Sequence, residues 1–181
     1  MKFLPAAIPG PVIVEPVVHG DARGFFLESW NRRNFREAGL DLDFVQDNHS
    51  RSDKGVLRGL HFQNPGAQGK LVRVASGAVW DVAVDLRRSS PHFGEWAGVE
   101  LSEANHRMLW VPEGFAHGFV VLEDATDFLY KCTAPYAPEH EQVLAWDDPA
   151  LAIDWKLGGI EPKLSDRDRA GTPLAEIKAF A

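Results

Sequence analysis

Short apolar runs broken by Gly, Pro and Asp dominate this chain, a pattern that predicts an all-β sandwich or barrel. The clearest strand runs from Ala78 to Leu86. There Trp80, Val82, Val84 and Leu86 alternate with Val79, Asp81, Ala83 and Asp85, the period of two that sends successive side chains to opposite faces. Ser76-Gly77 supplies a turn from a strand over Lys70–Ala75. Further strands are expected over Trp96–Leu101, Arg107–Val111, Ala116–Leu122, Thr126–Thr133 and Val143–Trp146. Helices are few. Asn31–Ala38 reads as one, with Ser29 or Asn31 as cap and Gly39 as stop. Ser165-Asp166-Arg167-Asp168 resembles a capping box ahead of a C-terminal turn or helix.

Length and composition narrow the function classes. A chain of 181 residues without a long linker, tandem repeat or low-complexity tract is expected to form a single domain over 1–181. A net charge of −7 argues against general nucleic-acid binding, which needs a basic footprint, yet permits a local cation cluster that grips a diphosphate. Cys132 is the only cysteine, so an intrachain disulfide is excluded and a thiolate zinc site disfavoured. The opening Met1-Lys2-Phe3-Leu4-Pro5 lacks a signal-peptide core, and no apolar run is long enough for a bilayer helix. A cytoplasmic protein with no membrane partner is therefore expected.

Against this apolar background, Arg58-Gly59-Leu60-His61-Phe62-Gln63 and Gly69-Lys70-Leu71-Val72-Arg73-Val74 stand out. Three charged or titratable groups on adjacent strands are costly to bury unless they line a wet pocket. A histidine titrates near neutrality and serves as a base; a lysine stabilises an oxyanion. That pairing suits removal of a proton beside a carbonyl. Arg58 and His61 have opposite parity, so an ideal strand separates them and a bulge at Gly59 is required to unite them. Alternation also puts Phe128, Tyr130 and Cys132 on one face of their strand, and a phenol such as Tyr130 can act as a general acid. His117, between Ala116 and Gly118, reads equally as a structural or a ligand-binding group. Asp168 reads alone as a surface capping carboxylate; it becomes the orienting partner of His61 only if the C-terminal segment folds back. No His-x-His pair exists, so no metal is expected.

Gly20-Asp21-Ala22-Arg23-Gly24-Phe25-Phe26, Gln46-Asp47-Asn48-His49-Ser50, the two segments around His61 and Lys70, Val111–Phe119, Phe128-Leu129-Tyr130-Lys131 and Trp146-Asp147-Asp148-Pro149 occur in one order along the chain. Together they resemble the dTDP-4-dehydrorhamnose 3,5-epimerase family, from about Gly10 to the C-terminus. The resemblance implies a cupin-like jelly-roll barrel with a few short helices, its core over about 45–147, working without metal or other cofactor as a homodimer. It implies a dTDP-linked 4-keto-6-deoxyhexose substrate inverted at C3 and C5. By the same resemblance His61 is the base, Asp168 its dyad partner, Tyr130 the acid on the opposite face and Lys70 the cation beside the keto oxygen. Arg58, His117, Gln46, Asp47, Asn48 and Glu141 match substrate contacts; Arg23 and Glu28 match nucleotide contacts, partly donated across the dimer. Arg167 stands where the family usually has lysine, replacing a point charge with a planar fork among the substrate contacts. The competing readings are a C3-only epimerase, a metal-dependent cupin and a non-catalytic sugar-nucleotide-binding module.

Overall fold

The computed structural model describes Met1–Ala181 and contains thirteen strands and two short α-helices. In chain order these are β1 (Lys2–Pro5), β2 (Val12–Glu15), β3 (Val18–Asp21), β4 (Gly24–Leu27), α1 (Arg32–Glu37), β5 (Gln46–Ser52), β6 (Leu57–Gln63) and β7 (Lys70–Ser76). There follow β8 (Ala78–Asp85), β9 (Trp96–Ser102), β10 (Met108–Val111), β11 (Phe115–Val121), β12 (Thr126–Cys132), β13 (Glu141–Val143) and α2 (Asp166–Arg169). One sheet has the order β1-β2-β10-β7-β12-β5, and a second has β13-β6-β11-β8-β9. All their strand pairs are antiparallel. The two sheets face each other as a cupin-like jelly roll, and no helix is long and apolar enough to cross a membrane.

The apolar side chains that alternate along the strands build the space between the sheets. Val72, Val74, Leu109, Val111 and Phe128 from the first sheet meet Val79, Ala83, Val99, Phe115 and Phe119 from the second. Phe119 and Phe128 stack with ring centroids 3.9 Å apart, joining the sheets face to face. The second sheet is apolar on its outer face too. There Leu57, Leu60, Phe62, Val82, Val84 and Val120 are covered by Leu144, Leu151, Trp155 and Ile177 from the C-terminal segment. This double burial is why β8 is apolar at nearly every position. It also brings the last residues back over β6, where the Leu57 N–H donates to the Lys163 carbonyl.

Helix α1 begins at Asn31, whose Oδ1 accepts from the N–H groups of Arg33 and Asn34, and it buries Phe35 beside Phe3. Gly39 follows it at φ +85°. Two expectations need correction. The strand expected over Val143–Trp146 lies at Glu141–Val143, because the backbone of Leu144 and Ala145 pairs instead with Thr172 or Leu60. The N-terminal strands β1 and β2 do not merely pack on a core beginning near residue 45: they are hydrogen-bonded members of the six-stranded sheet. The β3–β4 hairpin pairs only with itself and leaves Phe25 and Phe26 63% and 71% exposed.

Candidate active site

Strand β6 carries the histidine, and its local geometry explains how a sheet can present it. His61 lies opposite His117 of β11 and Arg58 opposite Phe119, so three steps on β6 match two on β11. The extra residue is a β-bulge. Leu57, Leu60 and Phe62 keep to the outer apolar layer while Arg58 and His61 share the inner face, which resolves their conflict of parity. Gly59, at φ +129°, makes this possible. A Cβ there would sit 2.6 Å from the Gly118 Cα and 2.9 Å from the His117 carbonyl oxygen, so only glycine fits.

The bulge also lies against the carboxylate of Asp168, which α2 sets on β6. His61 Nε2 lies 2.5 Å from Asp168 Oδ1, and Ser165 Oγ donates to Oδ2 at 2.9 Å while accepting the Asp168 N–H at 3.1 Å. Burial of Asp168 pushes its carboxyl up, but His61, Ser165 and the Gly59 N–H outweigh that and hold it below the usual carboxylate range. Asp168 therefore stays ionised and accepts a hydrogen bond from the Nε2–H of His61. The other ring nitrogen, Nδ1, is left with its lone pair.

His61, Lys70, Tyr130, Gln46, Asn48 and Glu141 line one cavity of about 320 Å³, together with Gln68 and Tyr136. The registers explain the convergence. Lys70 pairs with Cys132, Tyr130 with Asn48, and Cys132 with Gln46, so all five side chains lie on the inner face of the first sheet. Glu141 pairs with Gln63 on the second sheet's edge. Burial pushes the Lys70 ammonium below its ordinary range, opposed by Cys132, Glu141 and Asp81. Burial likewise raises the Tyr130 phenol, aided by Cys132 and Glu141 and opposed by Arg58, so the phenol holds its proton at neutral pH. Arg58 shares the inner face and donates from Nε and Nη2 to Ser52 Oγ at 3.2 Å.

Not every residue singled out from the sequence reaches this cavity. Asp47 points to the opposite face of β5 and pairs with Lys131 at 2.8 Å. Arg23 pairs with Asp21 on the exposed hairpin, and Glu28 accepts from Asn31 and Asn34 at the start of α1. His117 is buried on the inner face, with Nε2 3.0 Å from both oxygens of Asp81. Arg167 sits at the rim, 2.5 Å from Glu141 and within reach of the Tyr136 hydroxyl. Gln68, Tyr136 and Asp81 were not legible as site residues. Only Asp81 carries a signal, an acid flanked by apolar residues at the middle of a strand. No group of three or more His, Cys, Asp or Glu side chains is arranged to hold a metal ion.

The family model for dTDP-4-dehydrorhamnose 3,5-epimerase matches residues 5–176, nearly the full length of this cavity-bearing chain. The chain belongs to the dTDP-4-dehydrorhamnose 3,5-epimerase family. A dTDP-4-dehydrorhamnose 3,5-epimerase of Pseudomonas aeruginosa is 57% identical over 99% of this chain and 99% of its own. The crystal structure of an epimerase of the same family from Legionella pneumophila, in complex with dTDP-4-keto-L-rhamnose, superposes with a TM-score of 0.95. It is 51% identical and covers 98% of this chain and 94% of its own. A 3'-monoepimerase from Streptomyces bikiniensis, in complex with dTDP-quinovose, superposes at 0.89 with 38% identity, over 94% and 87% of the two chains. Epimerase relatives of both kinds thus share this fold.

Proposed function

We propose that this enzyme inverts C3 and C5 of dTDP-4-dehydro-6-deoxy-D-glucose, giving dTDP-4-dehydro-L-rhamnose. The observation that carries the reading is the His61–Asp168 pair opening on the same cavity as Lys70 and Tyr130. Both reacting C–H bonds flank the C4 carbonyl, so one enolate-forming apparatus serves both centres. His61 removes a proton through Nδ1, and Asp168 stabilises the imidazolium that forms. Lys70 faces the developing enolate oxygen; a preorganised donor of this kind typically contributes about 3 kcal/mol. Tyr130 returns a proton to the other face of the ring. Each inversion exchanges one proton for another and transfers no electrons, so the reaction calls for no nicotinamide.

Gln46, Asn48, Glu141, Arg58 and Arg167 surround the cavity and its rim as contacts for the sugar and diphosphate. Arg23 and Glu28 lie outside it, and we assign them to the site of a second copy of the chain in a homodimer. The support is the self-paired β3–β4 hairpin with its exposed Phe25 and Phe26, an apolar patch of the kind that marks an interaction surface. Sedimentation equilibrium is expected to return twice the chain mass; a monomer at micromolar concentration sinks the shared-site assignment. The same site fits a cytoplasmic biosynthetic enzyme acting on a free nucleotide sugar.

Product analysis tests the reaction itself. In deuterated water the isolated product is expected to carry deuterium at both C3 and C5 with inverted configuration at each, read by proton NMR. Label and inversion at C3 alone assigns the protein to the 3'-monoepimerase reading, which the Streptomyces bikiniensis relative keeps in view. No label at either carbon defeats both.

A further inference from the structure

Arg58 is held differently from the other arginines of the chain. Wherever another arginine bonds to a side chain, a carboxylate is among its partners: Arg32 meets Asp43, Arg51 meets Asp127, Arg107 meets Glu15, and the rest follow suit. Arg58 is bonded only to a neutral hydroxyl, with Nε and Nη2 each 3.2 Å from Ser52 Oγ. The two residues belong to different sheets, Ser52 as the last residue of β5 and Arg58 as the second of β6, so the guanidinium bridges the sheets. Ser52 is a firm anchor. It is only 9% exposed, its backbone is in register with Thr126, and the turn behind it is fixed on both flanks. There the Ala125 N–H donates to Asp53 Oδ1 at 3.1 Å and the Lys54 N–H to Asp124 Oδ1 at 3.0 Å. Ser52 Oγ has no other hydrogen-bond partner in the protein, so the hydroxyl serves no cap or turn.

We infer that Ser52 is a positioning residue for substrate binding, whose hydroxyl fixes the Arg58 guanidinium so that its free edge grips the diphosphate of the nucleotide sugar. The role rests on the epimerase reading and deepens it. A guanidinium has five N–H donors, and Ser52 takes one from Nε and one from Nη2. The other edge, where Nη1 and Nη2 form a fork that matches two phosphate oxygens, has no protein partner. A carboxylate at position 52 would orient the group as well, but it would offset the charge that attracts an anion. A hydroxyl orients without neutralising. Arg58 also shares the inner face of β6 with His61, which sets this cation beside the cavity that receives the sugar.

Titration calorimetry with dTDP, which carries the diphosphate without the reacting sugar, tests the role alongside steady-state turnover. In Ser52→Ala the guanidinium loses its anchor. The Kd for dTDP is expected to rise about tenfold, with KM following it and kcat changing less. Ser52→Thr keeps the hydroxyl and is expected to bind within about twofold of wild type. Ser52→Asp orients the guanidinium but offsets its charge, and is expected to bind dTDP more weakly than Ser52→Ala does. The Arg58→Ala background separates positioning from a general effect on the fold. There Ser52→Ala is expected to cause no further loss, because a hydroxyl acting through the guanidinium has nothing left to hold. An unchanged Kd in Ser52→Ala, an equal tenfold loss in the Arg58→Ala background, or wild-type affinity in Ser52→Asp overturns the inference. A wild-type protein that binds no dTDP fails earlier, and counts against the epimerase reading instead.

Discussion

His61→Ala is expected to stop solvent deuterium from entering the 4-keto sugar and to lower turnover by about 10³-fold. The substitution removes the only imidazole that lines the cavity, a ring held at Nε2 by an ionised carboxylate. The fold is expected to survive. His61 is partly exposed, and Asp168 keeps the Ser165 Oγ donor after the ring has gone. Melting temperature and circular dichroism close to wild type, combined with lost exchange, therefore identify a chemical defect. Exchange at the wild-type rate in this variant removes His61 from the mechanism.

Tyr130→Phe is the second large effect, and it separates the two halves of the reaction. The ring lies between the cavity and Phe128, with centroids 6.0 Å apart, so phenylalanine preserves the packing and deletes only the hydroxyl. Because the hydroxyl is held protonated, its loss removes an acid and not an anion. Proton removal by His61 is expected to continue, while inversion falls by about 10²-fold. The measurement is the ratio of deuterium washed in to product formed, which rises when a carbanion is made but reprotonated from its original face. A variant that inverts at full rate would show that Tyr130 is packing alone.

Much of the scaffold was legible because its signals are local. The alternation over Ala78–Leu86, the turn at Ser76-Gly77 and the Asn31 cap with Gly39 behind α1 appear within a residue of where they were expected. Strand β5 is not legible as a strand from its residues. Its inward positions, Gln46, Asn48, Ser50 and Ser52, are polar because they line or border the cavity, so the apolar period that advertises a strand is missing. A functional wall hides its own secondary structure. The segment 143–146 carries the apolar residues of a strand, but Leu144 is apolar because it packs in the outer layer.

Residue chemistry by itself determined a β-rich fold and singled out a histidine, a lysine and a tyrosine of the kinds suited to work beside a carbonyl. It also posed the parity conflict that demanded a bulge at Gly59. Tertiary structure alone decided that Asp168 reaches His61 across 107 positions of chain, that Asp47 turns away from the cavity on the far face of β5, and that the buried Asp81 meets His117. The physical reason is the range of the forces involved. Alternation and capping are set by neighbours in sequence, whereas the His61–Asp168 pair is set by which distant strands exchange hydrogen bonds and by the apolar layer that folds the C-terminal segment back over β6.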